Sequence, residues 1–352
     1  MQPIAVPPTD VHNRARDLTG AIITRELRIG KTRFRKGQRL TAEDMPLLAE
    51  SDLRIHAVRL DPDDVHEDEA AVRLAQLLRG DCDGIMQRKP VQSRVNMVAT
   101  RKGLLRVDTD ALLKLNMRPE IGVFTAPNNL PVVDGKIVAG AKISQVAIDR
   151  ETLEDVAFEI GALPRPVIEV LPFQPLVAGV VITEGKVDKV RDRFEAAVRQ
   201  KVGWYGGSIL RFDYVADEAD AVAAAIRAQL ADGATILLAA GGHMMDPLDA
   251  TQNALDVIGA RMIRMGAPAH PGSMFWLGHL DEGDVPIVSL ASCSMYSRST
   301  VADLVLPRLF AGQRVTSNDL AALGHGGLLD RDMGWRFPPY DVDTVDEPDE
   351  DA

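Results

Sequence analysis

The stretch Gly241–Thr251, GGHMMDPLDAT, places two bare glycines and two carboxylates within nine residues. It follows directly on ATILLAA (Ala234–Ala240), an apolar run of the length and character of a buried strand. Paired glycines at a strand's carboxyl end allow a turn with positive φ and let a ligand approach the peptide groups without meeting a Cβ. Asp246 and Asp249 set acids beside that backbone, and Asp249 and Thr251 suit the start of a following helix. In open α/β sheets ligands bind outside the carboxyl ends of the strands. A plain tight turn followed by an N-cap has the same signature, and both readings stand at this point.

Other chemistry-bearing residues are scattered. Cys293 lies in the Ser292-Cys293-Ser294 loop ahead of a predicted helix, where the helix start favours a thiolate. A small loop residue reads the same way. His270 and His243 sit in loops, where histidines commonly have solvent or structural roles. His66-Glu67-Asp68-Glu69 has metal-ligand residue types, but an acid-decorated helix N-terminus explains it better. Seven bases between Arg25 and Arg39 read as a solvated strand face, or as a docking patch for an anionic ligand or acidic partner.

Around these residues lies a chain of 352 residues, long enough for two domains with real cores. It has no apolar run long enough to span a membrane, and its first residues lack the pattern of a signal peptide. Its two cysteines, Cys82 and Cys293, give neither a disulfide framework nor zinc-ligand spacing. A cytoplasmic protein is expected. The net charge of −11 is dominated by seven acids in the last twelve residues, leaving −4 for the rest. A body so nearly balanced argues against a nucleic-acid partner.

Strands and helices alternate in the second half. Strands are predicted at Leu176–Thr183, Ser208–Val215, Ala234–Ala240, Met274–Leu280 and Val285–Leu290. Helices are predicted over about Val187–Val202, Asp217–Leu230, Thr251–Gly259 and Ser297–Phe310. This pattern implies an α/β fold with a three-layer, mostly parallel sheet covered on both faces. The first half reads as a smaller α+β, β-rich domain, with helices at Thr41–Ala49 and Glu67–Leu78 and turn signals at Asn128-Asn129 and Asp134-Gly135. Four prolines fall within Leu163–Pro175. The expected division is therefore an N-terminal domain over 1–163, a Pro-rich linker over 164–175, an α/β domain over 176–329, and an acidic, disordered tail over 330–352.

Within that layout GGHMMDPLDAT resembles the Gly-Gly-x-x-x-x-Pro-x-Asp-x-Thr loop of molybdopterin-binding domains, matching at Gly241, Gly242, Pro247, Asp249 and Thr251. These Rossmann-like domains are shared by molybdopterin adenylyltransferases, molybdopterin molybdenumtransferases and gephyrin homologues. HPGSMFWLG (His270–Gly278) is similar to a second family element through Pro271, Gly272 and Gly278. VVITEGKVDKVRDRF (Val180–Phe194) resembles the first strand and helix start, with Thr183 and Asp192 in matching positions. Leu290–Gly312 stands where the family has Leu-Pro-Gly-Asn-Pro and a helix ending in Pro-x-Leu. Most of Gly20–Leu329 also resembles a bacterial group described only as molybdopterin-binding, through Lys36-Gly37, Leu40-Thr41, Asp44, Arg94-x-Asn96 and Gly324-x-Gly326-Gly327.

The resemblance implies molybdopterin or molybdenum cofactor as ligand, with Mg2+ in the transferase version. The pterin's N–H donors suit a carboxylate, and its phosphate suits backbone N–H groups at a glycine turn. Asp249 and Asp246 would be the catalytic acids. Gly241, Gly242, Thr251, Asp192, Thr183, Pro271, Gly272, Ser273, Ser292, Cys293 and Ser294 would hold the cofactor. A recipient molybdoenzyme and self-association into a homo-oligomer also follow from the resemblance. The departures are Ser273 in place of a basic residue, Ala291-Ser292-Cys293-Ser294 in place of Pro-Gly-Asn-Pro, and the bulky His243, Met244 and Met245. These favour a carrier over a molybdotransferase. A metal-dependent nucleotide pyrophosphatase, as in the competence-damage-inducible family, and a degenerate scaffold are the alternatives.

Overall fold

The apolar runs of the second half lie side by side in one sheet. The computed structural model describes residues 1–91, 93–183, 188–242, 245–290 and 299–342. Its largest sheet contains β1 (Val177–Ile182), β2 (Ser208–Tyr214), β3 (Ile236–Ala240), β4 (Arg261–Met265), β5 (Trp276–Leu280) and β6 (Val285–Leu290). The spatial order is β2-β1-β3-β6-β5-β4. β1 pairs in parallel with β2 and β3, and β3 with β6, whereas β5 runs antiparallel to both β6 and β4. Only β5 opposes the rest, so the sheet is mostly parallel, as the alternation implied.

The helices that cover it include α1 (Asp188–Trp204), α2 (Ala219–Ala231), α3 (Ala250–Ile258) and α4 (Val301–Phe310). Successive strand residues point to opposite faces, and β1 shows both. Val180 and Ile182 join a core with Phe194 and Val198 of α1 and Val305 and Leu309 of α4. Val181 joins the other core, with Val222 and Ile226 of α2 and Ala254 and Leu255 of α3. Burial on both sides is why β3 reads as the unbroken apolar run Ile236–Ala240, every residue of it buried. β4 was not anticipated from the sequence. It is an edge strand, RMIRM, only partly buried, and its two arginines interrupt any apolar run.

The chain forms two compact units. Arg101–Leu104, Asn129–Asp134 and Leu171–Ala352 make the unit with the six-stranded sheet, and the remainder makes the other. The stretch read as a linker contains the strand Ile168–Pro172. In the region read as a tail, residues 331–336 form a 3-10 helix, and Phe337 and Tyr340 are buried in the sheet unit's core. Residues 343–352 lie outside the described ones.

The other unit is β-rich, with small antiparallel sheets. One joins Gln2–Val6, Ile55–Arg59 and Ile22–Ile23. Another joins Ile121–Thr125, Ile137–Ile143, Arg94–Ala99 and Ile85–Gln87. Its helices include Met45–Ala49, preceded by the capping box of Thr41 and Asp44, and Glu67–Arg79. The basic segment forms the hairpin Leu27–Ile29 and Thr32–Phe34, which buries Leu27 and Phe34 and turns Arg28 and Arg33 outward.

Candidate functional site

The carboxyl edge of the sheet is set by register. Tyr214 pairs with Ile182, Ile182 with Ala240, and Ala240 with Leu290, so four strands end in line. The Gly-Gly turn leaves this edge with Gly241 at φ 101°. Gly242 is required for a different reason: a Cβ there would lie 2.5 Å from Thr251 Oγ1 and 2.6 Å from Asp249 Oδ2. The loop's own acid and hydroxyl press against bare backbone. Asp249 is buried and caps α3, its Oδ1 accepting from Gln252 N at 2.9 Å and from Thr251 Oγ1 at 2.5 Å. Asp246 is exposed, and its Oδ1 accepts from Leu248 N at 2.9 Å. The two predicted acids therefore differ: Asp249 is buried and shapes the loop, and Asp246 is exposed.

Thr183 follows β1 and donates its backbone N–H to Ala240 O at 3.1 Å, which places it beside the Gly-Gly turn. Its hydroxyl is buried and has no hydrogen-bond partner among the described residues. Native proteins pair most buried polar groups, so an unpaired one calls for a reason. Asp192 is exposed on α1. Tyr214 donates its OH to Glu195 Oε1 at 3.3 Å; burial and then the Glu195 charge push its phenol up to about 12.

The Pro271-Gly272 turn reaches this same edge because β5 alone is reversed. Its amino end lies beside the carboxyl end of β6, where Trp276 N donates to Ser289 Oγ at 2.7 Å. Gly272, at φ 104°, packs on the start of α4; a Cβ there would lie 2.9 Å from Val301 N. Val301 N donates to Pro271 O at 3.3 Å. Ser273 is exposed. His270 makes backbone bonds to Gly327 and Leu329 at 2.7 and 2.8 Å, so its segment is joined to the Gly326-Gly327 stretch. Ser292, Cys293 and Ser294 lie outside the described residues, as do His243 and Met244.

His66–Glu69 belongs to the other unit and starts a helix. His66 is the N-cap, its Nδ1 accepting from Asp68 N at 3.2 Å while Nε2 faces Gly37 O at 3.0 Å. Among the described residues no three His, Cys, Asp or Glu side chains converge as a metal site. Burial, and then the Asp68 charge, raise the Glu67 carboxyl above its ordinary 4.5, and its Oε2 is buried without a partner among the described residues. A carboxyl raised on folding contributes stability that is fully present below about 4.5 and is lost as pH rises through the folded value. Glu67→Gln is thus expected to raise the melting temperature at pH 7, with the gain shrinking towards pH 4. Thermal unfolding at the two pH values checks this, and a gain independent of pH would count against it.

Comparison with known proteins bears on the sheet unit. Residues 176–311 match the family model described as "Probable molybdopterin binding domain". The match lies within the sheet unit. The match covers β1 through α4 and includes the Gly-Gly loop, Thr183 and the Pro-Gly turn. No curated protein matches the chain. Among solved structures, the chain is similar to molybdenum cofactor biosynthesis protein B at 14% identity and TM-score 0.31, over 40% of this chain and 91% of that one. It is also similar to a molybdopterin biosynthesis MoeA protein from Pyrococcus horikosii at 12% identity and TM-score 0.29, over 87% of this chain and 79% of that one.

Two features of this edge are not legible in the sequence. One is the unpaired state of Thr183, which depends on what surrounds it. The other is Arg191, one residue from the predicted Asp192, which stacks on the Tyr214 ring at 4.0 Å. An arginine in a helix's first turns gave a signal, being the wrong charge for that end of the dipole.

Proposed function

We propose that the carboxyl edge of the six-stranded sheet binds molybdopterin or the molybdenum cofactor. The observation that carries this reading is the bare Gly242 backbone pressed against Asp249, beside the unpaired, buried Thr183 hydroxyl. All three lie in the segment that matches the molybdopterin-binding family. Gly241 and Gly242 offer backbone N–H groups to a phosphate, and the Thr183 hydroxyl is a further donor. Asp246, exposed and acceptor-only, suits the N–H pair of a pterin. Asp249 and Thr251 hold the turn in shape.

The protein acts as a carrier that holds the cofactor for a recipient molybdoenzyme. Ser273, uncharged where the family has a base, supports this over molybdate transfer. The acids at the edge are a poor metal site: one oxygen of Asp246 accepts from Leu248, and one of Asp249 from Gln252 and Thr251. No step is assigned to Mg2+.

Thr183→Val separates binding from folding. Replacing an unpaired buried hydroxyl by a methyl group leaves stability unchanged or raises it. Loss of a phosphate donor is expected to weaken molybdopterin about 10-fold. Anaerobic fluorescence titration of both proteins, with their melting temperatures, tests this. Equal affinities would remove Thr183 from the site. No binding by the unaltered protein would overturn the reading and direct the search to metal-dependent dinucleotide hydrolysis.

A further inference from the structure

An anionic ligand at this edge needs a cation, and Ser273 supplies none. The structure presents one two strands from the Gly-Gly turn. Arg191 lays its guanidinium 4.0 Å from the centre of the Tyr214 ring. Its Nε is buried without a hydrogen-bond partner, and no ion pair engages it among the described residues. Other arginines of the unit do find oxygen. Arg199 pairs with Glu195 at 3.4 Å, Arg308 with Asp319 at 2.8 Å and Arg314 with Asp281 at 2.9 Å. Glu195, one turn beyond Arg191, is engaged by Arg199 and Tyr214.

Position gives this arginine its meaning. Tyr214 is the last residue of β2 and pairs with Ile182, the residue before Thr183. The stacked pair therefore stands at the carboxyl end of β2, beside the carboxyl end of β1. At this edge the Arg191 Nε and the Thr183 hydroxyl are each buried without a hydrogen-bond partner among the described residues. Stacking on Tyr214 holds the guanidinium in place but leaves its Nε unpaired, and a base opposes the helix dipole in the first turns of α1. An anionic oxygen offers both the charge and the acceptor.

We infer that Arg191, held flat on Tyr214, binds the phosphate of the ligand together with Thr183, on the β1–β2 side of the edge. The inference rests on the pterin reading of the site and adds an orientation, with the phosphate at Arg191 and the pterin towards Asp246. The planar fork of a guanidinium matches two phosphate oxygens at once, and aromatic stacking sets its plane beforehand.

The test compares the full-length protein with Arg191→Gln and Arg191→Lys. Each is titrated with molybdopterin, with its enzymatically dephosphorylated form and with inorganic pyrophosphate. Arg191→Gln is expected to lose about 10- to 100-fold in affinity for molybdopterin and pyrophosphate and nothing for the dephosphorylated pterin. Lysine should restore only part of the loss, since it keeps the charge without the fork. Melting temperatures equal to that of the unaltered protein exclude a folding defect. Equal loss for both pterin forms, or no loss, would overturn the assignment of Arg191 and leave the pterin reading standing. Pyrophosphate binding that depends on Arg191, without pterin binding, would support Arg191 and overturn the pterin reading. Binding of no probe by the unaltered protein would overturn both.

Discussion

Asp303→Ala is expected to destabilise the sheet unit by about 3–5 kcal/mol, the cost of breaking a buried ion pair from one side. Asp303 is fully buried at the third position of α4. It accepts from Lys201 Nζ at 2.6 Å and Tyr340 OH at 2.5 Å through one oxygen, and from Thr300 N and Oγ1 at 3.1 and 2.7 Å through the other. Alanine would remove the carboxylate that the buried Lys201 ammonium faces and the N3 half of the capping box with Thr300. Burial, and then neighbouring phenol and carboxylate charge, hold the Tyr340 phenol well above its ordinary value, so it remains a donor at neutral pH. Lys201→Met should cost less, because Asp303 keeps three of its four donors. Urea unfolding followed by tryptophan fluorescence gives both values. Near-equal stability of Asp303→Ala and the unaltered protein, or a larger loss for Lys201→Met, would show that the network does not hold this unit together.

Gly242→Ala should abolish ligand binding while leaving the fold intact. The new methyl would sit 2.6 Å from Asp249 Oδ2 and 2.5 Å from Thr251 Oγ1. Asp249 cannot swing aside freely, since doing so breaks its bonds to Gln252 N and Thr251 and uncaps α3, worth about 1 kcal/mol. The backbone must yield instead, and overpacking of this kind costs about 1–3 kcal/mol. A shift of about 1 Å in groups that position a ligand can cost about 100-fold. Molybdopterin titration beside thermal unfolding reads both effects. Unchanged affinity would place the ligand elsewhere.

These two sites differ in how much of them is written locally. GGHMMDPLDAT shows its strand end, its turn and its helix cap within eleven residues, and Asp249 as an N-cap was readable from type and position alone. The Asp303 network was not readable, because Lys201 lies 102 residues away and Tyr340 comes from a stretch read as tail. The acids of the last twelve residues mark that stretch as a tail, whereas Phe337 and Tyr340, just before them, are buried. Ser292, Cys293 and Ser294 lie outside the described residues.

The sequence by itself determined the alternation of strands and helices, the double-sided burial of the central strands and the caps at helix starts. Each depends on residues within a turn or two of one another, through periodicity and local hydrogen bonds. Tertiary structure decided which strand lies beside which. It reversed β5, and so carried Pro271-Gly272 to the edge where the Gly-Gly turn lies. It also added β4 as a mixed-character edge strand, and set Arg191 on Tyr214. Those outcomes depend on strand register and on the packing of distant side chains, which no short window of sequence contains.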